Sequence, residues 1–274
     1  MKHKGGYKMN YWTKLSVDFA QQRNYLDELY KVYPITPNLR REIPKSREDK
    51  VREAFENNNN VMLVKELLEL DLFPIKDSYV AYLKRDKSAI DRNPQTINRI
   101  AGTLFQMGIE EIIDKCTEPK ETNRQIGPMF KRWVDKGTIG VPIIHEAEDF
   151  LNCGENCIFN ASDAEMEKFA RKYLGFKREK GIDFIAKFNN KYVIAEAKFL
   201  TDMGGHQNAQ FDDAVRTMQS SFEDKKVPNE VIPIAIMDGV LFIKGSHKLY
   251  KYLENNPDQT IISALLLREF LYSL

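Results

Sequence analysis

The sequence predicts an α/β (α+β) protein built on a mixed β-sheet, with a mainly helical first half. Three observations predict it. Before about residue 140, apolar residues recur almost only at helical spacing. After residue 150, strand-like runs alternate with helices. Two short turn signals, Asn189-Asn190 and Asp238-Gly239, each join a pair of such runs. A length of 274 residues accommodates two domains, and the change of character divides them. The first is a mainly helical N-terminal region over 1–145, and the second an α/β core over 146–274.

The elements follow in order. Tyr11 to Tyr33 carries Leu15, Phe19, Leu26, Leu29 and Val32 at helical spacing, and Pro34 and Pro37 stop it. Ser46, with Asp49 three positions on, starts a helix over Arg47 to Glu56. Val61 to Leu70 and Ser78 to Arg85 are short helices. Asn93-Pro94 reads as a cap with proline at the first helical position, opening Gln95 to Met107. Gly108 ends that helix, and Ile109 to Cys116 makes the next. Gly127-Pro128 reads as a break in the chain. Ser162 and Glu165 form a capping box for a helix to Leu174, which Gly175 stops. Ile182 to Phe188 and Lys191 to Leu200 form a hairpin, because asparagine tolerates the left-handed backbone of a two-residue turn. A helix over Asn208 to Phe222 follows. Val231 to Met237 and Val240 to Lys244 read as a second hairpin across Asp238-Gly239. Helices over Lys248 to Glu254 and Thr260 to Tyr272 end the sequence.

Composition excludes several classes. A 42% hydrophobic share with 16 Phe and 12 Tyr excludes a disordered chain. Three cysteines make no disulfide scaffold and point to a reducing compartment. No run approaches the roughly 18 apolar residues of a membrane span, and Met1 to Lys14 lacks the apolar core of a signal peptide. A soluble intracellular protein is expected. With 41 Lys+Arg against 40 Asp+Glu, binding to nucleic acid would require segregated positive charge. Lys2, Lys4, Lys8 and Lys14 fit a phosphate-tracking arm or an ordinary solvated tail. Cys116, Cys153, Cys157 and His145 lack the paired spacing of a structural zinc site and read as unliganded.

The chemistry concentrates in the first hairpin. Side chains alternate faces along a strand, so Glu196 and Lys198 share one. With Asn189-Asn190 as the whole turn, Phe188 pairs with Lys191 and Asp183 falls opposite Glu196, with Cβ atoms about 4.5–5.5 Å apart. Like charges directly opposite are destabilising. Lys198 or a bound cation must offset them. The remaining residues are apolar on both faces, as in the middle of a covered sheet. Three charges placed there are costly unless paired or metal-bound, which marks a functional site. Two carboxylates and a main-chain carbonyl, for which Ala197 is the natural donor, supply hard oxygen ligands that suit Mg²⁺. A metal held so can activate water for phosphodiester hydrolysis, with Lys198 orienting the water or neutralising charge on the phosphate.

Gly-Ile-Asp183, twelve intervening residues, then Glu196-Ala-Lys198 resembles the motif of the PD-(D/E)XK nuclease superfamily. The setting fits too: a preceding helix, a hairpin carrying the motif, a following helix and another strand. The resemblance covers about residues 160 to 245 and is to a type II restriction endonuclease. Ile182 stands where the motif's name has proline, which makes no obligatory metal contact. The resemblance implies a restriction-endonuclease-like core with Asp183, Glu196 and Lys198 catalytic. It implies Mg²⁺ on Asp183, Glu196 and the Ala197 carbonyl, double-stranded DNA as substrate, and a prokaryotic, cytoplasmic setting. Some members add an acidic ligand from the preceding helix. Glu165 and Glu167 are the candidates, and Glu167 is preferred because capping engages Glu165. A homodimer is expected, since cutting both strands of a palindrome calls for two symmetric sites. No membrane partner and no nucleotide cofactor are expected.

DNA contacts have weaker signals. Asn123, Arg124 and Gln125 are side chains that make bidentate contacts to bases. His206 lies in the loop after the motif strand, within reach of DNA or the metal's surroundings. Gln207 and Gln210 are candidates because related nucleases sometimes use a glutamine in this helix. The N-terminal helices would supply DNA contacts or dimerisation. The rival functions are a repair, recombination or transposition nuclease of the same fold, a non-catalytic DNA-binding module, and a small-molecule phosphohydrolase. The last is disfavoured by the lack of a Gly-rich phosphate loop.

Overall fold

The computed structural model describes residues 9–34, 40–119 and 126–274, and the backbone alone at His206. Its described residues divide into two units, one of 9–34 with 126–274 and one of 40–119. The N-terminal helices α1 (Tyr11–Phe19) and α2 (Tyr25–Val32) therefore belong with the sheet. The expected single helix over Tyr11 to Tyr33 is broken between them. This division differs from a boundary at residue 145.

The second unit is helical: α3 (Lys45–Glu56), α4 (Asn60–Leu68), α5 (Ser78–Arg85), α6 (Ala89–Arg92), α7 (Pro94–Met107) and α8 (Ile109–Cys116). Val51, Leu63, Val64, Leu67, Ile97, Ile100, Leu104 and Ile112 form its core, all fully buried. These are the apolar positions of the helical repeat, turned inward together. Pro94 does open α7, but the Asn93 side chain donates to Ala89 O rather than capping the helix.

The first unit holds a six-stranded sheet in the order β1-β2-β3-β4-β5-β6. Its elements continue with α9 (Ile126–Asp135), β1 (Ile143–Ile144), α10 (Ala147–Asn152), β2 (Cys157–Phe159) and α11 (Asp163–Phe169), which a π-turn over Ala170–Leu174 extends. Then come β3 (Phe184–Phe188), β4 (Lys191–Leu200), α12 (Gly205–Met218) and β5 (Glu230–Gly239). The chain ends with α13 (Lys248–Asn255), β6 (Ile261–Ile262) and α14 (Leu267–Tyr272). Strands β2, β3 and β4 run antiparallel in succession, while β1–β2, β4–β5 and β5–β6 are parallel. The sheet is mixed, as expected, and α12 makes the crossover that a parallel β4–β5 pair requires.

Asn189 and Asn190 adopt φ of 46° and 61°, the left-handed angles of the expected two-residue turn. The register is the expected one, from Phe188 opposite Lys191 to Phe184 opposite Ala195. Phe184, Val193, Ala195, Ala197 and Ile236 face α2, α9 and α14. On the other face, Ile185, Tyr192 and Ile194 pack on α10 and α11, and Leu200 and Met237 pack on α12 and α13. Burial on both faces is why β4 reads as a nearly continuous apolar run.

Three expectations are corrected. Asp238-Gly239 is not a hairpin turn: β5 runs through both residues, and a short 3₁₀ turn, Val240–Phe242, follows. Asp238 stays in the strand because its buried carboxylate is satisfied there, accepting from Tyr33 Oη at 2.9 Å, Ala264 N at 3.2 Å and Ser263 Oγ. Ile261 and Ile262 form the edge strand β6 rather than part of a C-terminal helix. Gly127-Pro128 lies inside the first turn of α9, where proline's missing N–H costs nothing because the first helical donors have no partners.

Candidate active site

Asp183 sits one residue before β3, at the end of its ladder with β4. Its N–H bonds Ala195 O at 3.2 Å, out of step with the hairpin register. Its Oδ2 accepts the Ala197 N–H at 2.9 Å, so the carboxylate reaches across to β4 in place of a further ladder bond. Glu196 and Lys198 follow Ile194 on the same face of β4, as alternation requires. The two carboxylates converge on one ammonium: Lys198 Nζ lies 2.7 Å from Glu196 Oε1 and 3.3 Å from Asp183 Oδ2.

Residues around this trio come from two other places. The segment before Asp183 carries Arg178 and Lys180, and α12 carries Asp213 and Thr217 one turn apart. Thr217 Oγ1 donates to Glu196 Oε2 at 2.8 Å, and Arg178 donates to Thr217 Oγ1 at 2.5 Å and to Asp213 Oδ1 at 2.9 Å. Lys180 Nζ bridges Glu196 Oε1, at 2.8 Å, and Asp213. Gly181 lets this segment press on α11, since a Cβ there would stand 2.9 Å from Asp163 Cβ. These four polar residues are absent from the motif. Asp213 and Thr217 are spaced i and i+4 on α12, a hint that becomes readable only once that helix is known to cover β4.

Burial and charge oppose one another here. Burial pushes the Asp183 carboxyl above its ordinary range, and Lys198 and the Ala197 N–H offset this only in part. Burial acts likewise on Glu196, but Lys198 and Lys180 outweigh it and hold that carboxyl below its ordinary range. For Lys198, burial favours the neutral amine, yet Asp183 and Glu196 together hold it above the ordinary lysine range. Glu196 is only 1% exposed. Its Oε1 has two ammonium groups at ion-pair distance but no well-directed hydrogen bond. A buried carboxylate oxygen that draws two cationic groups, beside a second carboxylate, fits a cation ligand. Among the described residues no three His, Cys, Asp or Glu side chains converge. Two carboxylates and a carbonyl are a sparse donor set, which suits Mg²⁺ with its retained waters better than zinc.

The other expected site residues lie elsewhere. Glu167 pairs with Arg171 on its own helical turn at 3.5 Å, and Glu165 closes the capping box with Ser162. The α11 acid whose charge raises Asp183 is Asp163, which the sequence reading did not single out. Gln207 is buried, and its Oε1 accepts the Thr201 N–H at 3.2 Å, closing the loop between β4 and α12. Gln210 is half-buried three residues on. Asn123, Arg124 and Gln125, and the His206 side chain, lie outside the described residues. Cys116, Cys153 and Cys157 are free thiols. No helix among the described residues is long and apolar enough to cross a membrane.

No curated protein and no solved structure matches the chain. A family does. Residues 10–274 match the sequence model described as Tsp45I type II restriction enzyme, so the similarity takes in the helical unit as well as the sheet. With nearly its whole length matched, the chain belongs to the Tsp45I type II restriction enzyme family, site-specific deoxyribonucleases that cut double-stranded DNA.

Proposed function

We propose that this endonuclease cuts DNA by PD-(D/E)XK chemistry, with Asp183, Glu196 and Lys198 as its catalytic residues and Mg²⁺ as its cofactor. One observation carries the proposal: two carboxylates from adjacent chain segments meet at a single lysine on a covered sheet face. Restriction enzymes generally use a divalent metal, and Asp183, Glu196 Oε1 and the Ala197 carbonyl would hold it. Bound there, Mg²⁺ would polarise a phosphoryl oxygen and acidify a water. Glu167, paired with Arg171, and Asp163, paired with Lys131, are the candidate additional acids.

Lys198 is held as an ammonium by its two carboxylates. It is therefore equipped to donate to a phosphate oxygen or to orient the attacking water. Thr217 and Arg178 keep Glu196 aimed. The protein acts as a homodimer, each subunit cutting one strand of a palindromic site. DNA contacts come from the N-terminal region and from Asn123, Arg124, Gln125, His206 and Gln210. A cytoplasmic location follows from the substrate.

The test is incubation of a long DNA of known sequence with Mg²⁺ or with EDTA, beside Lys198→Ala. Discrete fragments are expected only with Mg²⁺ and the unaltered protein. Wild-type rates of cutting by Lys198→Ala would remove Lys198 from the mechanism. Cutting in EDTA would remove the metal.

A further inference from the structure

We infer that Lys180 is a resident counter-ion: in the metal-free protein its ammonium occupies the Glu196 oxygen that a divalent cation needs, and it retreats to Asp213 when the cation enters. The inference rests on the proposed metal site at Asp183 and Glu196.

The charges around the site already balance without a metal. Arg178, Lys180 and Lys198 stand against Asp183, Glu196 and Asp213, each positive group within ion-pair distance of at least one negative group. A divalent cation added to that set leaves two positive charges uncompensated in a half-buried place, which is costly. One ammonium must move away from Glu196 Oε1, and the structure distinguishes the two. Lys198 is fixed on β4, inside the sheet, and also serves Asp183. Lys180 lies on the irregular segment before Asp183, and its second partner, Asp213, lies outside the carboxylate pair. It can leave Glu196 without losing all its ion pairs. Glu196 Oε2 accepts the Thr217 hydroxyl, whereas Oε1 is the oxygen that faces both lysines. Cation and Lys180 therefore compete for the same atom, Oε1. The cation is admitted most readily when a negative group, such as a DNA phosphate, restores the balance.

The experiment measures Mn²⁺ binding to the free full-length protein by the loss of the free-ion electron paramagnetic resonance signal. Lys180→Met should bind Mn²⁺ about fivefold or more tightly than the unaltered protein, the scale of one lost ion-pair competitor. Lys180→Arg, which keeps the charge, should bind as the unaltered protein does. Lys177→Met changes the net charge equally, but Lys177 pairs with the exposed Asp224, so its affinity should not move. Glu196→Gln should lose the site. Equal or weaker binding by Lys180→Met, with Glu196→Gln still losing the site, overturns the role of Lys180 and leaves the metal site standing. An equal gain in Lys177→Met also overturns it, reducing the effect to net charge. Unchanged binding in Glu196→Gln overturns the metal site itself, and the inference with it.

Discussion

Thr217 has one hydroxyl hydrogen and three neighbours around its oxygen. Arg178 can only donate, so it takes a lone pair at 2.5 Å. The hydrogen then goes to Glu196 Oε2 at 2.8 Å or to Asp213 O at 3.2 Å. The shorter contact ends on a buried carboxylate, and charge-assisted bonds are the stronger. Arg178 thus sets the direction of the hydroxyl, and the hydroxyl sets the direction of Glu196. Thr217→Val keeps the shape and removes the donor. If Glu196 is the proposed metal ligand, cleavage should fall about 10- to 100-fold, the usual cost of losing a group that orients one. Unfolding should become easier by about 1–3 kcal/mol because a buried acceptor loses its partner. Thr217→Ser should recover most of both. Single-turnover cleavage and denaturant titration of the three proteins check this, and an unimpaired valine variant would show that Glu196 needs no such guide.

At the scale of elements, the end of β5 ties three segments together. Tyr33 at the end of α2, and Ser263 and Ala264 after β6, all donate to Asp238, while Tyr25 Oη on α2 accepts the Gly239 N–H at 3.3 Å. Gly239 has φ of 96°, and a Cβ there would overlap the Leu200 carbonyl oxygen on β4. Gly239→Ala should cost at least about 1–3 kcal/mol of stability through backbone strain, read as a lower melting temperature. Burial pushes Asp238 up to about 7 despite its donors. Its folded value therefore lies above its unfolded one. Its contribution is fully present below about pH 4 and is lost as pH rises through about 7. The unfolding free energy of the unaltered protein, relative to Asp238→Asn, should fall between about pH 4 and 7; a flat difference would mean Asp238 does not titrate there. The same strand shows where sequence reading stops. Asp-Gly is a strong turn signal locally, and only the donors brought in by α2 and the β6–α14 link keep it extended. The β3–β4 hairpin is legible because alternation and the Asn189-Asn190 turn agree, which fixes the register from Phe184 to Ala195; Asp183, expected opposite Glu196, instead lies beyond the ladder and accepts the Ala197 N–H. Strands β1 and β6, at two residues each, carry no period to read. Asp213 and Thr217 were illegible for another reason: Thr217 meets Glu196, and Asp213 meets Lys180, only through the docking of α12 on β4.

For the whole molecule, a net charge of +1 provides no general attraction to DNA, so binding must come from local groups and from geometry. Each chain has one Asp183–Glu196–Lys198 site, and one site lies against one strand at a time. The antiparallel strands of a palindrome present equivalent bonds related by a two-fold axis. A second copy related by the same axis places its site on the second bond without any new surface having to evolve. This gives the proposed homodimer a kinetic signature that mass alone does not. Differently tagged unaltered and Lys198→Ala subunits, co-expressed and purified through both tags, would form a dimer with one working site. On a supercoiled plasmid carrying a single recognition site, that mixed dimer should yield nicked circles that persist. The unaltered dimer should pass on to linear DNA, and the doubly altered one should leave the plasmid supercoiled. Linear DNA formed by the mixed dimer at the unaltered rate would mean that one site cuts both strands in turn, and the two-site account of the enzyme would fail.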